Sequence, residues 1–174
     1  MVQNKGVNEG IETTVRDNAV FSEHDLELFG RDFTDFYNNQ GRELLSYIQR
    51  NTGRSVVPIK RIAPKRLDQF TAMQVRLEDD GYVLEVNTVV PLEQKIAEGA
   101  RFYDVPEAVM KEYLFLHETT HTTQTGIDMD INLMESDVET LVAKFAEKKA
   151  KDALKTRNIA DLIKYTDIKR IADK

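Results

Sequence analysis

Hydrophobic and polar positions alternate with different periods along the chain, and the first twenty residues show little period at all. This polar start predicts a flexible arm over residues 1–20, followed by a single domain over 21–174. Apolar side chains then recur at helical spacing over 26–37 and again over 44–48. The pattern predicts two helices with a break near Gly41, the first of which turns a Phe-rich face into the core.

The middle of the chain carries strand signals. Residues 55–62 are rich in β-branched side chains but include Pro58, which predicts an edge strand or an extended segment. Apolar and polar residues alternate over 73–77 and over 82–86, on either side of Asp79-Asp80-Gly81. Two alternating runs around such a turn predict a β-hairpin.

Helical spacing returns in the C-terminal half. The predicted helices cover 91–100, 105–125 (ended by Gly126), a long stretch from Leu133 or Ser136 to Leu154, and 159–172. The order of helices, strands and helices predicts an α+β fold in one domain.

Composition narrows the class of protein. The 174 residues are 41% hydrophobic and 31% charged, as in a globular chain, and they include no cysteine for a disulfide or a thiolate metal site. There is no apolar run long enough to span a bilayer and no signal sequence, so we expect a cytoplasmic protein without membrane association. The net charge of -6 argues against a general nucleic-acid binder, because phosphate contacts need clustered Lys and Arg. Local basic patches leave that class of partner open.

The strongest chemical signal is the pentapeptide His117-Glu118-Thr119-Thr120-His121, which contains two of the three histidines. Residues four apart lie on one face of a helix, so both imidazoles can reach one zinc ion. Glu118 lies on the shoulder of that face, where it can act on a metal-bound water. The pattern predicts His117 and His121 as metal ligands and Glu118 as the catalytic base.

A third zinc ligand has to come from elsewhere, because zinc hydrolases generally use three protein ligands. His24 lies in a distant helix start, whereas Glu135 and Glu139 begin the long helix that follows the motif. These two acids are one turn apart, so either can be the ligand. We favour Glu135, since it lies nearer to the apolar stripe and leaves Glu139 to hold a ligand histidine by its other nitrogen.

The segment from about residue 74 to 146 resembles the gluzincin class of zinc metallopeptidases, and most closely its small ImmA/IrrE-like branch. Three features carry the resemblance: a strand ending in Asn (81–87), the HExxH helix (112–121), and a short return to Glu135-Ser136-Asp137-Val138. The spacing Glu135-x-x-x-Glu139 also resembles the gluzincin pattern of a ligand glutamate and a supporting acid.

The resemblance implies a minimal zincin-like domain that hydrolyses peptide bonds. Zinc would be held by His117, His121 and Glu135, and would lower the pKa of a bound water. Glu118 would accept the proton of that water and pass it to the leaving amine. The implied partner is a protein or peptide substrate, and cleavage of a transcriptional repressor is a common theme of this branch.

The same resemblance places further residues around the substrate. In this class a strand above the site pairs with extended substrate backbone, a role that residues 82–87 would play. A second donor to the transition-state oxyanion is also usual. Tyr113 and Tyr103 are both available for it.

A different class of function remains open. The chain could be a catalytically inactive zincin-like binding or regulatory protein that uses its basic segment 54–66 and its C-terminal helices to contact protein or nucleic acid. That segment carries five cationic side chains and no acid. Glu118 separates the two classes, because zinc binding needs the histidines whereas hydrolysis also needs this glutamate.

Overall fold

The computed structural model describes residues 2–4, 12–15 and 23–174, with side chains from residue 24 onward. The strands are β1 (Val2–Asn4), β2 (Glu12–Val15), β3 (Ile59–Lys65), β4 (Met73–Glu78) and β5 (Gly81–Asn87). The helices are α1 (Glu23–Phe36), α2 (Arg42–Thr52), α3 (Leu92–Tyr103), α4 (Glu107–His121), α5 (Ile131–Lys155) and α6 (Ile159–Ala172). This content confirms the predicted α+β class.

One mixed sheet runs in the order β1-β2-β3-β5-β4. Strand β5 pairs with β3 in parallel and with β4 in antiparallel register, so β5 is interior and β4 forms an edge. The β4–β5 hairpin confirms the alternation of the sequence. The strands β1 and β2 lie inside the predicted N-terminal arm, and the rest of residues 1–20 lies outside the described residues.

The prediction that β3 is an edge strand is wrong. Its Arg61 and Ile62 pair with β2 on one side, while β5 occupies the other side. The strand begins at Ile59, so Pro58 precedes the ladder, and the Pro58 carbonyl accepts a hydrogen bond from the Tyr82 amide at 2.9 Å. Proline counts against an interior strand only when it interrupts the pairing.

The helix break predicted near Gly41 is a π-helical turn, Tyr37–Gly41, that joins α1 to α2 without a loop. Gly41 is buried, and a Cβ there would lie 3.3 Å from the Phe36 carbonyl oxygen and 3.4 Å from the Phe36 ring. The Phe-rich face of α1 is core as predicted, because Phe33 and Phe36 pack their rings against Phe115 of α4. These contacts fix α4 against the N-terminal helices.

Two helix ends near the motif differ from the prediction. Helix α4 stops at His121 rather than near residue 125, because the Thr122 and Thr123 hydroxyls bond to the carbonyls of the preceding turn at 2.6 and 2.8 Å. Helix α5 begins at Ile131, before both of the predicted starts, Leu133 and Ser136, since the Asp130 carboxylate accepts the Leu133 amide as an N-cap. Helix α5 packs against α6, which follows it in the chain.

Within the described part of the chain, no helix has both the length and the apolar character that crossing a bilayer requires.

Candidate metal centre

Three side-chain donor atoms converge where α4 faces the start of α5. The Nε2 atoms of His117 and His121 are 3.3 Å apart, one helical turn separating the two residues. The two carboxylate oxygens of Glu135 lie 3.0 Å from the first of these nitrogens and 3.2 Å from the second. Ligands about 2.0–2.1 Å from a tetrahedral zinc stand roughly 3.3 Å from one another. The donor set and its spacing therefore fit a zinc ion.

Glu139 contacts the far side of one histidine ring instead of the donor cluster. Its Oε1 lies 2.8 Å from Nδ1 of His117 and accepts a hydrogen bond from the Tyr113 hydroxyl at 2.5 Å. A carboxylate beside Nδ1 keeps a proton on that nitrogen, so Nε2 faces the cluster, where a metal would take the place of the second ring proton. Burial raises the pKa of Tyr113, with the Glu139 charge adding to the effect, so the phenol stays a donor.

The other histidine is oriented by Gln124, which sequence analysis missed. The Gln124 Nε2 donates to the Met134 carbonyl at 2.8 Å and to the Asp137 carboxylate at 2.9 Å. Both partners accept only, so the amide nitrogen must face them and the amide oxygen must face Nδ1 of His121, 2.8 Å away. Nδ1 of His121 therefore carries the proton, and its Nε2 lone pair also points into the cluster.

This arrangement is tied to the N-terminal half of the chain by Arg54. Its guanidinium makes two hydrogen bonds to the Asp137 carboxylate, at 2.7 and 2.8 Å, across a separation of 83 residues. The hydrogen bonds from Arg54 lower the pKa of Asp137, and the Arg54 charge adds to the effect. Asp137 is thus held ionised as an acceptor for Gln124, and a continuous set of contacts joins Arg54 to His121.

The buried carboxylate of Glu118 lies beside the cluster without belonging to it. Burial raises the pKa of Glu118 to about 7, although the His117 charge acts in the opposite direction. A hydrogen bond with the backbone of Val75 in β4 also stabilises the charged form. A carboxyl group with this pKa exchanges a proton close to neutral pH.

The histidines themselves differ in charge. Burial lowers the pKa of His117, but hydrogen bonds to Glu135 and Glu139 outweigh it and raise the pKa to about 10. Burial lowers the pKa of His121, which is bonded to the neutral Gln124. The His117 hydrogen bond lowers the pKa of Glu135. Without a cation, the chain holds its own proton in the cluster, so a metal would compete with that proton.

An open cleft of about 640 Å³ exposes the cluster, with Glu118 in its wall and β4 along one side. The prediction that residues 82–87 pair with substrate backbone is wrong, because both edges of β5 are already occupied. Among the described strands, β4 is the neighbour of β5 that has one unpaired edge. Its residues 73–75 line the cleft.

The structure thus brings together four of the residues predicted for the site: His117, Glu118, His121 and Glu135. Glu139 lies outside the three-donor group, in contact with the His117 ring. Of the two tyrosines, Tyr113 lines the cleft with its hydroxyl bonded to Glu139, whereas Tyr103 does not line it.

No protein family model, no curated protein and no solved structure matches this chain.

Proposed function

We propose that the chain is a zinc-dependent metallopeptidase with a zincin-like domain, acting on the peptide bonds of a protein partner with Glu118 as general base. One observation carries the proposal: two imidazole nitrogens and a carboxylate converge with zinc-like spacing in the wall of an open cleft that also contains a separate buried carboxylate. Hydrolysis needs both parts, whereas metal storage or a structural metal needs only the first.

The donor atoms of His117, His121 and Glu135 would hold the metal. When bound, zinc supplies a Lewis acid that polarises a carbonyl group and lowers the pKa of water. Glu139 and Gln124 keep both Nδ1 protons in place, which fixes the ring orientations and leaves each Nε2 free for the metal.

Glu118 supplies the proton transfer. Its pKa of about 7 means that near neutral pH the carboxylate can take a proton from water and return it to a departing amine. The backbone of Val75 holds the carboxyl group at the level of β4. The base and the strand along the cleft are therefore fixed relative to each other.

The edge of β4 offers a place for the substrate backbone. An extended peptide that adds to this edge would pass along residues 73–75, directly beside Glu118. Main-chain hydrogen bonds would hold such a peptide, and side chains on alternate positions would face the cleft. A protein segment in extended conformation is the substrate form that this geometry fits.

The alternative, a binding protein that uses the basic segment 54–66, gains little support. Arg54 is bound to Asp137, and Arg61 forms an ion pair with Glu78 at 2.5 Å. Lys60 is engaged by Glu78 and Asp80. Three of the five charges that suggested a partner surface are thus paired within the chain itself.

The direct test compares Glu118→Gln with Glu107→Gln, an exposed glutamate at the start of the same helix. Each protein is loaded with zinc and incubated with a library of proteome-derived peptides, and new termini are identified by mass spectrometry. We expect cleavage by wild type and by Glu107→Gln, and none by Glu118→Gln, with equal zinc content in all three. Cleavage that survives in Glu118→Gln would contradict the assigned role.

A further inference from the structure

One end of the cleft carries an exposed aromatic ring on a fixed turn. Phe70 is 80% exposed and lines the cleft just before β4 begins. The buried Asn87 amide donates to the carbonyls of Asp68 and Thr71, at 2.6 and 2.7 Å. The Asp68 carboxylate accepts the Phe70 amide at 2.7 Å. The ring is therefore presented to solvent at the end of the cleft by a turn that is held in place.

Beside this ring lies the ammonium group of Lys95, which has a long ion pair as its charge partner. The Lys95 side chain is only 19% exposed and lines the same cleft, with its Nζ 5.9 Å from the centre of the Phe70 ring. Among the described residues, the carboxylate within ion-pair distance is that of Glu98, at 3.8 Å. The other oxygen of Glu98 accepts a hydrogen bond from Gln94. An ammonium group whose carboxylate partner is 3.8 Å away favours an anionic ligand that can approach it more closely.

The distance from Met110, which lines the cleft, to the metal donors follows from the rise of α4. Gly99, one turn after Lys95, packs so closely on Met110 that a Cβ there would lie 2.8 Å from the Met110 methyl. Met110 and Leu114 then line the cleft toward His117, seven residues further along α4 than Met110. Seven helical residues rise about 10 Å, which corresponds to roughly three residues of extended peptide.

We propose that Lys95 and Phe70 form a subsite for a substrate carboxylate, two to four residues from the scissile bond. The inference rests on the proposed peptidase function and specifies its substrate class. The carboxylate belongs either to an acidic side chain or to the peptide C-terminus. Lys95 binds the charge, while Phe70 and Met110 cover the adjoining carbon atoms.

The test measures the binding of fluorescein-labelled nonapeptide pools by anisotropy. The pools are degenerate in neutral residues and contain one fixed Glu, Gln or Lys, with the C-terminus either amidated or free. The protein carries Glu118→Gln and is measured with zinc, so that no peptide is cleaved during the titration. Lys95 is then varied to Gln and to Glu, and Lys144→Glu is the control with the same charge change at an exposed position outside the cleft.

We expect the Glu pool to bind about tenfold more tightly than the Gln pool, as one charge-assisted contact implies. Lys95→Gln should abolish the preference, Lys95→Glu should transfer it to the Lys pool, and Lys144→Glu should leave it unchanged. If the terminus is the source, free C-termini gain the advantage and internal Glu does not. No binding of any pool, or an acid preference that survives in Lys95→Glu, would overturn the subsite.

Cleavage of the same pools by the chain with Glu118 intact separates this inference from the peptidase itself. An acid preference that depends on Lys95, without any cleavage, would retain the subsite and refute the peptidase. Cleavage without an acid preference would support the peptidase and refute the subsite.

Discussion

Replacing Gln124 with leucine tests whether the contact with His121 positions a metal ligand. Gln124 is 4% exposed, and its amide oxygen is the acceptor for Nδ1 of His121 at 2.8 Å. Leucine of similar size removes that acceptor and leaves a buried N–H without a partner, at a cost of about 1–3 kcal/mol. Bound zinc draws electron density from the ring and strengthens this hydrogen bond, so the loss falls mainly on the zinc-bound state. We therefore expect zinc affinity to fall by about 10- to 100-fold.

The assay is competition for zinc against a chelator of known affinity at fixed pH, with circular dichroism to verify folding. Gln49→Leu is the matched control, because Gln49 is exposed on α2 and does not line the cleft. The reasoning would be refuted by a folded Gln124→Leu protein that binds zinc within about twofold of wild type, since loss of a ligand-orienting hydrogen bond costs at least about tenfold.

Two further predictions concern stability. Arg54→Gln breaks a bidentate ion pair whose partners are only 20% and 19% exposed. It should lower the free energy of unfolding, measured by urea titration, by about 1–3 kcal/mol. The exposed Arg50→Gln is the control and should lower it by no more than about 0.5 kcal/mol. The second prediction concerns Glu118, because burial raises its pKa from 4.5 to about 7. Between pH 4.5 and about 7 the folded chain keeps a proton on Glu118 that the unfolded chain releases. The free energy of unfolding therefore falls as pH rises through this range. In zinc-free protein, Glu118→Gln should therefore be more stable than wild type at pH 8, by up to about 3 kcal/mol, and should differ little at pH 4.5. An equal pH dependence of the free energy of unfolding in the two proteins would contradict the assigned burial.

Local signals predicted the helices and the hairpin because each depends on the spacing of neighbouring residues. The proximity of the motif histidines and Glu135 was predictable in the same way, since one helical turn and one short connection bring them together. The edge assignment of β3 failed because pairing with β2 joins Arg61 to Glu12, a contact between distant segments that Pro58 does not signal. Strand neighbours depend on the whole topology, and alternation alone does not encode them.

The residues that orient the site were less accessible to sequence analysis. Gln124 lies three residues after His121, a spacing that allows contact but does not distinguish Gln124 from the other polar residues near the motif. Arg54 and Asp137 are 83 residues apart, and their pairing depends on how α2 approaches α5. Arg54 was therefore grouped with a basic surface, whereas in the structure it binds Asp137 beside the histidine cluster.

Zinc binding by the purified chain tests the central claim most directly. The protein is stripped with a chelator, titrated with zinc by calorimetry, and compared with His117→Ala and with His24→Ala, which changes the exposed third histidine. We predict one zinc per chain for wild type and for His24→Ala, and loss of that site in His117→Ala. A wild-type protein that binds no zinc, or a His117→Ala protein that binds it equally well, would contradict the account.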